Sequence, residues 1–183
     1  MDSPEILYSK DGFKFVKLLK YKYSLNFSIE NPNIILHKII DFNLIKLIYD
    51  LNPDIYEKIN LQQIDENEAI MSVLMKRLFE DLGLPQRFSY VKIKKYTDKN
   101  KITFISESIK TSRPHGMPLD SEQLPLQTMT CNCDIITPHK ILFTLDILFN
   151  PNMITQSFAE KMMGLITFKM FNKVKQFIEN IRM

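Results

Sequence analysis

SFAEKMMGLITFKMFNKVKQFIENI, residues 157–181, reads as one long helix near the C-terminal end of the chain. Met163, Ile166, Met170, Val174, Phe177 and Ile181 recur at steps of three and four, which keeps one apolar stripe on a single face. Pro151 blocks an earlier start, and Ser157 with Glu160 has the spacing of a capping box. The stripe is expected to face a sheet. Met162, Leu165 and Phe168 add apolar surface outside it and are expected near an entrance. Methionine is unbranched and polarizable and fills changeable volumes, so Met162, Met163, Met170 and Met183 suit a lid over a variable ligand. An ordinary core helix fits the same composition.

Working outward, four segments before the helix form the clearest antiparallel block. Phe88 to Tyr96 and Lys101 to Ile109 flank Thr97-Asp98-Lys99-Asn100, and Leu126 to Ile136 and Lys140 to Phe149 flank Thr137-Pro138-His139. Two hairpins follow directly. Between them runs Thr111 to Leu124, a long polar loop that holds Met117 and Leu119; loops of this length are uncommon unless they have a function. Further upstream, Phe13 to Leu19 and Tyr21 to Ile29 read as strands. A helical pattern follows from Asn31-Pro32 to Asn52-Pro53, carrying Ile35, Ile39, Phe42, Leu44, Ile45 and Ile48. Tyr56 to Ile64 and Ala69 to Arg77 form a further hairpin around Asp65-Glu66-Asn67, although the second segment also reads as helix through Leu78 and Phe79. The expected class is α+β, a meandering antiparallel sheet gripping the terminal helix.

Composition narrows the function classes. A chain of 183 residues suits a single domain, 1–183, and 45% hydrophobic with 25% charged residues argues against extensive disorder. No apolar run is long enough to span a bilayer, and MDSPEILYSKDG lacks the pattern of a secretory signal, so the expected location is cytoplasmic. Cys131 and Cys133 lie two apart, which in a strand puts both on one face without favourable disulfide geometry; reduced thiols are expected. With three scattered histidines, His37, His115 and His139, no metal site is expected. The net charge of +3 is mild. Lys92, Lys94, Lys95, Lys99 and Lys101 around one hairpin have the look of a solvated sheet face, and no nucleic-acid partner is expected. Isolated glycines and the lack of a nucleophile motif leave no catalytic residues and no cofactor to name.

The order of elements resembles that of the StAR-related lipid-transfer (START) domains from about Asp11 onward. Asp11-Gly12-Phe13-Lys14-Phe15 resembles their first strand, Ile34 to Asn52 the helical segment, and Asp54-Ile55-Tyr56 through Ile70 the middle hairpin. Leu84-Pro85-Gln86-Arg87-Phe88-Ser89-Tyr90-Val91 is similar to the proline, arginine, acid, aromatic stretch of the family, with Ser89 where an acid is usual. Ile102 to Ile109 ends in a serine-rich turn as the next family strand does, and Asn150-Pro151-Asn152-Met153-Ile154 loosely resembles the turn before the family's last helix. The chain lacks the tryptophan usual after the first long helix. The resemblance implies a helix-grip fold, a curved antiparallel sheet wrapped around a long C-terminal helix. It also implies a lipid (phospholipid, sterol or fatty acid) held between sheet and helix and carried between membranes, with the terminal helix and the 111–124 loop as lid. A monomer making transient contact with membrane surfaces follows from it. Moving about 30 acyl methylenes into water costs about 24 kcal/mol at about 0.8 each, so such a carrier must replace nearly all that contact.

Strand alternation supplies the candidate ligand-binding residues. Met129, Cys131, Cys133 and Ile135 share one face of their strand, and Ile141, Phe143, Leu145, Ile147 and Phe149 share one face of the next. From the helix come Met163, Ile166, Met170 and Val174. The alternation does not distinguish cavity wall from filled core. Arg87 has a fork that suits an anionic head group or a carboxylate of a neighbouring strand. Glu107 and Asp134 are candidate polar anchors, with the solvent face as the alternative; Met117, Leu119 and the helix lysines are candidate membrane contacts. Two alternatives to a lipid carrier stay open. One is a cyclase-like enzyme on the same fold, with Glu107 beside His115 or His139 as acid or base; the other is an interaction module without a ligand.

Overall fold

Asp11-Gly12 reverses the chain first, with both residues at positive φ (50° and 80°), the backbone of a two-residue hairpin turn. It joins β1 (Glu5–Lys10) to β2 (Phe13–Leu19). The remaining elements are β3 (Lys22–Glu30), a 3-10 turn (Leu36–Ile39), α1 (Phe42–Asp50), β4 (Tyr56–Gln63), β5 (Glu68–Met75) and β6 (Arg87–Asp98). They are followed by β7 (Lys101–Ser108), β8 (Glu122–Gln123), β9 (Leu126–Thr137), β10 (Lys140–Phe149) and α2 (Ser157–Glu179). The computed structural model describes residues 4–77, 83, 85–110, 113–151 and 157–182, the side chains of Ser157 and Phe158 excepted.

The strands form one sheet in the order β1-β2-β3-β10-β9-β7-β6-β5-β4, with the short β8 parallel to the start of β6. The decisive pairing is β3 with β10, nine residues in unbroken antiparallel register from Lys140↔Glu30 to Leu148↔Lys22. It joins the N-terminal meander to the last hairpin. The sheet curves, and its concave face carries Phe15, Tyr23, Leu25, Phe27, Ile141, Phe143 and Leu145, all buried. Phe27 stacks on Phe13 and Phe143 at 4.7 and 5.1 Å, so aromatic rings knit the centre. This is the α+β helix-grip architecture expected from the sequence, with α2 against the concave face.

Three local expectations are corrected and one alternative is decided. Strand β1 was not anticipated, because its edge position leaves Glu5–Lys10 half-exposed and without a period-two pattern. The 31–52 segment is not one helix: α1 begins only at Phe42, where the Asp41 carboxylate accepts from the backbone N–H groups of Asn43 and Leu44. Residues 68–75 are strand, as the hairpin reading expects and not the helical alternative, since β5 lies between β4 and β6 and pairs with both; Leu78 and Phe79 of that alternative lie outside the described residues. Asn31, expected to open a helix, instead closes one: its Nδ2 donates to the carbonyls of Ile178 (2.7 Å) and Ile181 (3.0 Å) at the end of α2.

The other end of α2 is fastened by Glu160. Its carboxylate accepts from Tyr23 Oη at 2.6 Å and from Lys17 Nζ at 3.0 Å, joining the helix to β2 and β3. Glu160 thus makes sheet contacts on its own side, and the Ser157 side chain of the expected capping box lies outside the described residues. Between these ties, Gly164 brings the helix so near the sheet that a Cβ there would stand 3.0 Å from Phe15 Cδ1 and 3.1 Å from Tyr8 Cβ. At 100° per residue, the buried line of Glu160, Gly164, Thr167, Phe171, Val174 and Ile178 is rotated by about 70° from the apolar stripe read in the sequence. The stripe is therefore not the sheet contact. Phe177, expected toward the sheet, is 46% exposed, while its neighbour Ile178 is buried. Phe168, expected at an entrance, is buried between Tyr8 and Phe13 beneath β1.

Candidate functional site

Since α2 leans on β1–β3, its apolar stripe is left facing the rest of the concave sheet across a gap. That gap is a cavity of about 420 Å³. Met163, Ile166, Met170 and Val174 line it from the helix, Met129, Cys131 and Cys133 from β9, and Phe143, Leu145 and Ile147 from β10. Ile40, Leu44 and Ile178 close one end, all three buried. At the other end lie Ala159 and Met162 of the first turns of α2 with Lys76, Pro85, Arg87 and Leu124, exposed and half-exposed residues that form a mouth among the described residues. Leu165, expected there as well, does not line the cavity. A second seam holds α2 on the side of α1 and β4: Asn52 Nδ2 donates to the Met170 carbonyl (3.3 Å), and Lys173 Nζ reaches Asp54 Oδ1 at 2.6 Å. That hydrogen bond holds the Asp54 carboxyl below its usual range.

The wall is almost wholly apolar. Among the described residues no Asp, Glu or His lines it. Its polar groups are partly satisfied within the protein: Thr167 Oγ1 donates to the Met163 carbonyl at 2.7 Å, and Tyr56 Oη donates to Met170 Sδ at 2.8 Å. Tyr49 meets Tyr56 edge-on at 4.7 Å. Burial pushes the Tyr49 hydroxyl up to about 12 and, with the neighbouring Tyr49, raises that of Tyr56 well above the ordinary range. Both rings stay neutral at physiological pH. Cys131 and Cys133 are free thiols whose sulfurs lie 3.9 Å apart, far beyond the S–S bond length. Their hydrogen bond, together with burial, raises the Cys133 thiol far above its usual range.

Of the polar candidates, Arg87 lies at the cavity wall and also pairs with a neighbouring strand, its Nη1 2.6 Å from Glu122 Oε2 on β8. Glu107 does not reach the cavity. It is exposed, on the opposite face of β7 from the buried Ser106, because successive strand residues point to opposite sides. Asp134 is likewise outside, 3.8 Å from Lys101 Nζ. Among the described residues neither Glu107 nor a histidine lines the cavity, so the Glu107–histidine site of the enzyme alternative is not formed there; His139 is held instead by the Ile34 carbonyl at 2.8 Å. Met117 is also corrected as a membrane contact. It is buried with Leu74 and Phe88 in a small cluster on the outer face of the sheet, whereas Leu119 is 91% exposed. Of the loop from 113 to 124, only Leu124 lines the cavity; Thr111 lies outside the described residues.

The sequence reading missed Lys76, Ser89, Ser106, Tyr49 and Tyr56 at the wall. Ser89 was legible in principle, two residues from Arg87 on one strand and so on the same face. Tyr49 and Tyr56 come together only through the turn between α1 and β4.

No protein-family model and no curated protein matches the chain. Solved structures do. The human StarD13 (DLC2) lipid transfer and protein localization domain superposes with a TM-score of 0.74 at 12% identity, over 99% of this chain and 91% of that one. Human STARD10 gives 0.71 at 10% identity over 94% and 71%. A STAR-related lipid transfer protein from Xanthomonas axonopodis gives 0.67 at 10% identity over 96% and 98%. The chain has the START-like helix-grip fold.

Proposed function

We propose that the protein binds a lipid in the cavity between sheet and α2 and carries or presents it between membranes as a monomeric, peripheral protein. The supporting observation is the continuous apolar void of about 420 Å³, within the 300–1,000 Å³ typical of ligand pockets. Native interiors are close-packed, and a void of this size costs contacts all along its lining. A ligand chain restores them. The same volume weighs against an interaction module with a filled core, and the lack of acids and histidines among the described lining residues weighs against the cyclase-like alternative.

Met129, Cys131, Cys133, Phe143, Leu145, Ile147, Met163, Ile166, Met170 and Val174 are assigned as the chain-contacting wall, with Arg87 at the mouth. Lipid exchange uses the mouth, where the first turns of α2 and the Leu124 end of the 111–124 loop serve as the lid. Leu119 inserts into the headgroup region of the membrane during exchange. Among the described residues no helix is long and apolar enough to cross a bilayer, so membrane contact is assigned to the surface alone. Native mass spectrometry of the purified chain after exposure to phospholipid, sterol and fatty-acid vesicles tests the proposal. A lipid-bound mass is expected; apo mass alone across the whole panel contradicts it.

A further inference from the structure

We infer that the ligand is an amphiphile with a single hydrocarbon chain and an anionic headgroup, its chain in the cavity and its head held at the mouth by Lys76 and Arg87. This rests on the lipid-binding reading and narrows it.

Volume sets the chain. A methylene packed at interior density occupies about 25 Å³, so a cavity of about 420 Å³ holds about 17 of them. That is one long acyl chain. The roughly 30 methylenes of a two-chain phospholipid need about 750 Å³, and a sterol of roughly 27 carbons needs about 675 Å³ at the same density. The closed end at Ile40, Leu44 and Ile178 is apolar and buried and offers no partner to a polar head, so the head must lie at the opposite, open end.

Charge sets the head. Lys76 follows directly on β5 and Arg87 opens the adjacent β6; with Leu74 opposite Phe88, the register carries Arg87 opposite Met75 and Lys76 one position beyond, and both cations line the cavity at its mouth. Ser89 adds a hydroxyl on the cavity face of β6 beside Arg87. Among the described residues Lys76 forms no ion pair. Arg87 gives Nη1 to Glu122, and its fork carries further N–H donors. Among the described residues the acids nearby are on the outside of this pair: Glu122 holds Arg87, and Glu57 is exposed and accepts from Gln86 Nε2 at 2.7 Å. A carboxylate or a phosphate monoester at the mouth meets two cations and a hydroxyl and competes with Glu122 for Arg87.

The test is competitive native mass spectrometry of the full chain against five probes: oleate, oleoyl lysophosphatidate, oleoyl lysophosphatidylcholine, dioleoylphosphatidylcholine and cholesterol. Oleate and lysophosphatidate should be retained at one per chain, and their relative occupancy tells carboxylate from phosphate. The zwitterionic lysophosphatidylcholine should bind about tenfold more weakly, with the two-chain lipid and the sterol not retained. Lys76→Glu and Arg87→Glu should each weaken oleate about tenfold, and Glu122→Gln should strengthen it severalfold by releasing Arg87. Equal or greater retention of dioleoylphosphatidylcholine or cholesterol overturns the single-chain assignment while leaving lipid binding intact. Oleate binding unchanged in both charge reversals overturns the headgroup assignment. If none of the five is retained, the lipid-binding reading falls with it.

Discussion

Glu160 is the residue on which the position of α2 turns. A carboxylate this buried is tolerated only where its oxygens are met, and here Tyr23 and Lys17 meet them from two strands. Tyr23→Phe removes a buried hydrogen bond to a charged group and is expected to destabilise by about 1.5–3 kcal/mol, read from urea unfolding. No change in the unfolding midpoint would show that the bond carries no stability. Tyr49 and Tyr56 make the opposite kind of statement, since their hydroxyls are held neutral by burial. A group whose folded pKa is raised contributes stability that is complete below its unfolded pKa and is lost as pH climbs through the folded one. For Tyr49 that window runs from 10 to about 12, and the loss accumulates at about 1.4 kcal/mol per pH unit. The alkaline absorbance titration should show late-ionising tyrosines among the seven and a fall in stability over that window that Tyr49→Phe reduces. If all seven ionise near pH 10, the burial account of these two rings fails.

At the scale of the element, α2 is a helix with two apolar sides of different meaning. One is the hydrophobic stripe, which faces the void through Met163, Ile166, Met170 and Val174. The other includes Glu160 and Gly164, residues that no hydropathy pattern marks as buried, and it makes the contact with β1–β3. Gly164→Val should therefore destabilise by about 1–3 kcal/mol through overpacking against the fully buried Phe15, although an exposed helix position would gain from losing glycine. A rise in melting temperature would refute the close approach. Asn31→Ala should cost about 1–3 kcal/mol, because it strips the Ile178 carbonyl of its buried partner; thermal unfolding reads this, and a neutral result would refute the capping role. The hairpins of β6–β7 and β9–β10 were legible because alternation in Met129–Ile135 and Ile141–Phe149 is written along the chain, one residue at a time. The terminal helix was legible for the same reason. What escaped were features set by partners distant in sequence: the Glu160–Tyr23 tie spans 137 positions, and Asn31 finds its acceptors 147 and 150 positions away. Edge strand β1 escaped although Asp11-Gly12 announced its turn, because an edge strand need not alternate. Glu107 was misassigned because a face cannot be chosen for one acid until the register of its strand is known.

At the scale of the molecule, the nine-residue β3–β10 pairing closes the meander, the two seams fix α2 across it, and the void is what remains between them. Whether a lipid chain enters that void is the central claim, and the chain offers a clean probe, since it contains no tryptophan. In Met129→Trp the single indole replaces a thioether on the cavity wall, within reach of any chain that fills the space. The measurement is its fluorescence during titration with oleate and with 9,10-dibromostearate, whose bromines quench only on close contact. The account predicts saturable quenching by the brominated chain, displaced by oleate. An indole emission that stays unquenched while mass spectrometry shows the brominated lipid bound would put the ligand elsewhere and contradict it.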